Sequence, residues 1–108
     1  MNLRVKQNIR SKMAIVYSAI NGLSKELEDL QFEAEEPYSE LGNVPPIANI
    51  DKQLSSRIVS MFNLRITIDD WFDRTAQTLL QEEISDENEY LQNLMIQSEN
   101  FLQQINDI

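Results

Sequence analysis

The chain has 108 residues, 42% of them hydrophobic, a formal net charge of −9, and neither cysteine nor histidine. These values fit one domain with one modest core. They also make the chain a poor ligand for phosphate backbones and anionic membranes. Disulfides, thiolate chemistry and every mechanism pairing a nucleophile with histidine are excluded, and the commonest zinc ligand is missing.

Residues 3–34 predict one long helix. Ile9, Met13, Val16, Ile20, Leu23, Leu27 and Leu30 alternate at spacings of four and three. That puts all seven on one stripe, the seam of a coiled coil, which a single helix cannot bury. Gly22 lies inside the pattern and costs up to about 1 kcal/mol against Ala, without changing the register. Ile15, Tyr17 and Ala19 widen the apolar face and imply more than one neighbour. The basic N-terminus Met1-Asn2-Leu3-Arg4-Val5-Lys6 does not read as a signal peptide, because no continuous apolar core succeeds it.

Residues 35–50 read as the main loop. They hold Pro37, Pro45, Pro46 and Gly42, and Pro45-Pro46 favours an extended segment. Leu41, Val44, Ile47 and Ile50 are expected to lie along the helices and cap one end of the core.

A second helix is expected over about 51–84, with Asp51 as its N-cap. Leu54, Ile58, Met61, Ile68, Phe72 and Leu79 form its main stripe, interrupted by Arg65 and Thr75. Phe62, Leu64, Ile66 and Trp71 form a second, so the middle of the helix is apolar nearly all round. Asn63–Ile68 also alternates with period two, as a short strand would. The helical spacing on both sides favours helix.

A third helix is expected over about 86–107, capped by Ser85, with Asp86 and Glu87 placed to suit the helix dipole. Leu91, Leu94, Met95, Phe101, Leu102, Ile105 and Ile108 form its apolar face. No Gly or Pro separates it from the second helix, so one bent helix is the alternative.

The charges are segregated. Arg4, Lys6, Arg10, Lys12 and Lys25 are the only charged residues in 1–25, whereas Glu26, Glu28, Asp29, Glu33, Glu35, Glu36 and Glu40 fill the next stretch without a base. This order opposes the helix dipole. An up-down arrangement would offset it by returning Glu82 and Glu83 beside Arg4, Lys6 and Arg10. The acidic end has no such partner and reads as a solvated face or as a docking surface for a basic protein.

No phosphate loop, nucleophile elbow or metal-binding Cys/His spacing is present. Glu33-Ala34-Glu35-Glu36 and Glu83-Ile84-Ser85-Asp86 have the spacing of carboxylate pairs that hold magnesium in all-α nucleotide pyrophosphatases of the MazG type. Both fall at expected helix ends, whereas buried metal carboxylates belong mid-helix. Asp69, Asp70 and Asp73 beside Trp71 read as an exposed face paired with Arg65 and Arg74.

The expectation is an all-α protein: an elongated antiparallel bundle or coiled-coil hairpin with a shorter third helix. It is expected to be cytoplasmic and non-catalytic, with no metal or cofactor and no direct contact with nucleic acid or membrane. Its partner would be a protein, either a second copy or another chain, engaged through Phe62, Ile66 and Trp71, with packing inside the core as the other reading of Trp71. The alternative is an acidic mimic of nucleic acid acting through Glu26, Glu28, Asp29, Glu33, Glu35 and Glu36. Magnesium-dependent pyrophosphate hydrolysis is the remaining reading.

Overall fold

Helix α1 (Leu3–Leu41) starts where Asn2 caps it. The Asn2 Oδ1 accepts from the Val5 backbone N–H at 2.9 Å, satisfying one of the donors that a helix start leaves orphaned. The computed structural model describes the backbone of residues 1–41 and 48–108 and the side chains of 1–33 and 52–108. Within it α1 is followed by α2 (Ala48–Gln81) and α3 (Glu87–Asp107), with no strand among the described residues. Residues 63–68 are therefore helical, and the fold is all-α.

The connection between α1 and α2 is shorter than the 35–50 span expected. Helix α1 passes through Pro37 to Leu41. Proline removes one hydrogen bond and costs about 3 kcal/mol in a helix interior, but it does not force a break. The glutamates on either side of it and Leu41 are good helix formers. Since α2 opens at Ala48, Asp51 lies in its first turn rather than at its cap. The packing expected of Leu41, Val44, Ile47 and Ile50 falls on side chains outside the described residues.

The chain then forms two helices, not one bent helix. Glu82 takes a left-handed backbone, φ 57°, and its N–H donates to the Thr78 carbonyl at 3.1 Å. This is the C-cap geometry usually met by glycine. The residue that starts α3 is Asp86, not Ser85. Asp86 is extended (φ −134°, ψ 101°), and its carboxylate accepts from the Glu89 N–H at 3.1 Å. A charged acceptor suits the positive end of the helix dipole, and Glu87 and Glu89 add to it in the first turn.

The helices run up, down, up. Contacts from Lys6 to Glu82, Tyr17 to Phe72 and Glu26 to Arg57 set α1 antiparallel to α2. Contacts from Trp71 to Phe101 and from Arg57 to Ile108 set α2 antiparallel to α3. The bundle measures 62 × 19 × 16 Å. Its accessible surface is 7694 Å² for 12.6 kDa, against roughly 6,200 Å² for a compact chain of that mass. The surplus reflects the elongation.

The α1 stripe is the spine of the core. Ile9, Met13, Val16, Ile20, Leu23 and Leu27 are buried, joined by Val5, by Met61, Leu64, Ile68 and Trp71 of α2, and by Leu94 of α3. Each fully buried Ile or Leu contributes roughly 1.5–3 kcal/mol. Leu30 departs from the stripe's fate at 36% exposed. The end of α3, at Ile105 and Ile108, reaches only the level of Leu23, Glu26 and Arg57, and Leu30 lies a turn beyond it. Among the described residues the two buried polar ones bond to their own helix: Thr75 Oγ1 donates to the Trp71 carbonyl and Ser98 Oγ to that of Met95. No described buried side chain lacks a partner.

Candidate interaction surface

A helix whose core side is already satisfied gains nothing from large apolar residues on its other side. Helix α2 carries four: Leu80, 83% exposed near its end, and a group of three in its middle. Val59, Phe62 and Ile66 stand at spacings of three and four, on one face, and are 57%, 56% and 69% exposed. They flank neither α1 nor α3: the residues that meet α1 include Met61, Arg65 and Phe72, and those that meet α3 include Arg57 and Trp71. The stripe points outward from the bundle.

Trp71 does not belong to this surface; of its two expected roles the structure gives it the one in the core. It is 8% exposed. Its ring packs edge-on against Phe101 with centroids 5.3 Å apart, and its Nε1–H donates to Gln97 Oε1 at 3.0 Å. Both partners come from α3, which closes over the indole. At about 100° of helix rotation per residue, Trp71 stands roughly 140° around the axis from Ile66.

An open groove of about 630 Å³ runs along the other junction, between α1 and α2. Tyr17 and Phe72 line it with ring centroids 5.1 Å apart, together with Met13, Leu79 and Arg10. At one end Arg65 ties the two helices together. Its Nη1 donates to Ser24 Oγ and its Nη2 to Asn21 Oδ1, both at 2.7 Å. In sequence Arg65 breaks an apolar stripe and reads as a partner for the aspartates that follow; the interruption of the stripe is the signal that points to the cross-helix clip.

The acidic residues do not converge. Glu26, Glu28, Asp29 and Glu33 are exposed on α1, but Glu26 and Glu28 alone stand about 200° apart around the axis. Glu26 faces Arg57 at 3.8 Å. The side chains of Glu35 and Glu36 lie outside the described residues. Among the described residues no three acidic side chains gather as a metal site would require. Arg74 pairs with Asp70 one turn back, while Arg65 turns to α1 instead of to Asp69.

At the basic end the up-down return is visible. Lys6 of α1 pairs with Glu82 just past α2, and the ammonium hydrogen bond holds the Glu82 carboxyl below its ordinary range. No described helix is long and apolar enough to cross a membrane.

The arrangement defines a class: an elongated, up-down-up three-helix bundle with an apolar stripe on the back of its second helix. Comparison with protein-family models, with curated proteins and with solved structures gives no match.

Proposed function

We propose that the chain is a non-catalytic protein–protein interaction module, an adaptor, assembly subunit or inhibitor, that receives its partner on the outer face of α2. One observation carries this reading: Val59, Phe62 and Ile66 are exposed together on a helix whose core is complete without them. Covering a side chain of this size contributes roughly 1.5–3 kcal/mol, and aromatic anchors recur at interface hot spots. The acidic-mimic reading has less support, because the acids on α1 spread around the helix instead of forming one face.

The test is photo-crosslinking in cells that produce the protein. A crosslinkable residue at position 66 is expected to give covalent adducts of defined mass. The same residue at position 92, exposed on α3, is the control. Adducts no more abundant at 66 than at 92 would overturn the proposal. An adduct formed from the acidic stretch of α1, and lost steeply as salt rises, would favour the mimic.

A further inference from the structure

The apolar stripe on α2 is the middle of a longer pattern. Lys52, Ser55, Val59, Phe62, Ile66 and Asp69 succeed one another at spacings of three, four, three, four and three, and all six are exposed. This is a second coiled-coil seam, on the opposite side of α2 from the one that faces the core. A base stands at one end, acid at the other, and large apolar side chains lie between.

Such a seam has a matching partner in its own reverse. If two copies of α2 lie antiparallel, with the two-fold axis passing between Ser60 and Met61, position 59 of one copy faces 62 of the other, 55 faces 66, and 52 faces 69. Every layer then pairs suitably. Val59 meets Phe62 twice at the centre, Ser55 lies beside Ile66 on either side, and Lys52 meets Asp69 at both ends. A parallel pairing would instead place Lys52 against Lys52 and Asp69 against Asp69. Among the described residues neither Lys52 nor Asp69 makes an ion pair within the chain, so both charges are available.

We propose that the occupant of this face is a second copy of the chain, bound antiparallel through α2 about a two-fold axis. This rests on the docking role proposed for the same face and names its partner. The interface is isologous, so it closes at two copies. The seam is short, six layers with three large apolar residues per copy. It falls toward the small end of specific interfaces, so the dimer forms and dissociates with concentration. With α1 and α3 both on the core side of α2, neither stands between the two stripes.

The test uses the intact chain and light scattering across a concentration series. The wild type is expected to approach twice the chain mass at high concentration. Lys52→Asp makes both ends acidic and Asp69→Lys makes both basic. Each is expected to weaken dimerisation by about tenfold or more, since like charges facing across an interface are repulsive. The double variant Lys52→Asp/Asp69→Lys restores opposite charges at both ends and is expected to recover the dimer. All these positions are exposed, and circular dichroism checks that each variant keeps its helices.

The chain has no cysteine, which allows a second, geometric readout. Cysteines at Ser55 and Ile66, which face each other across the pairing and stand too far apart to join within one helix, are expected to oxidise to a covalent dimer, and one at Gln92 is not. A wild type that stays monomeric throughout, or a dimer indifferent to the charge reversals, overturns the proposal. A monomer that still crosslinks from position 66 to a chain of different mass would end self-pairing and leave the docking role standing. A monomer without such adducts would end both.

Discussion

The Nε of Arg57 donates to the backbone oxygen of Ile108 at 2.8 Å, while its Nη2 stands 3.8 Å from Glu26. One guanidinium thus touches all three helices, at the level where the third ends. Arg57→Met keeps much of the side chain's length but removes the donors. We expect it to lower stability by about 1 kcal/mol, the scale of one partly exposed hydrogen bond to a charged group. Urea unfolding followed by circular dichroism measures it. An unchanged midpoint would show that this contact does not hold the end of α3.

Trp71 and Phe101 carry the junction of α2 with α3. Removing the indole by Trp71→Ala is expected to cost about 3–5 kcal/mol, as for other large core aromatics. The pair itself is read from a double-mutant cycle with Phe101→Ala, where a coupling of about 0.5–1.5 kcal/mol is expected. Additive losses would mean that the two rings are stabilised by separate surroundings.

Gly22 sits mid-helix in α1, and a Cβ built there meets nothing within 4 Å. Gly22→Ala gains helix propensity with no steric cost, so it is expected to stabilise the fold by about 0.5–1 kcal/mol. A rise in the urea midpoint at unchanged slope checks this. Destabilisation would contradict the open space around that position.

Lys6 and Glu82 predict a pH dependence of definite sign. Glu82's carboxyl is lowered, first by the hydrogen bond from Lys6 and then by its charge. A carboxylate with a depressed folded pKa adds stability above its unfolded pKa and loses that contribution as pH falls through the folded value. Wild type should therefore exceed Lys6→Met in melting temperature at neutral pH. The gap should close below the carboxylate range and shrink with added salt, because the pair is exposed. A gap that persists in acid would place its origin in packing of the lysine stem.

Phe62→Ser combined with Ile66→Ser should leave helicity intact and the melting temperature of the isolated chain unchanged or higher, since both side chains face outward. Thermal melts at low concentration check this. A fall of several degrees would mean that the two residues belong to the fold.

The sequence made the α1 stripe legible because a strict four-three alternation over 22 residues, Ile9 to Leu30, leaves little choice of face. The last member, Leu30, escaped because its cover depends on how far α3 reaches, which no local pattern records. The same blindness left Trp71 open between core and interface. Its neighbours in α2 mark the edge of a stripe, and only the arrival of Gln97 and Phe101 from α3 closes it. Glu82 gave no warning either, since a left-handed cap without glycine has no signature in residue type. The outer stripe was half visible: Phe62 and Ile66 stood out as excess apolar residues, but Val59 did not. Its relation to Lys52 and Asp69 needs the outward face to be known first.

The indole at position 71 is the chain's single tryptophan and lies against α3 alone among the aromatic contacts. Its fluorescence is therefore a built-in gauge of whether the third segment is seated. Lifting α3 off the hairpin while every helix stayed intact would wet the ring and redden its emission, with far-ultraviolet ellipticity almost unmoved. Docking of that segment can be timed separately from coil formation without attaching any dye.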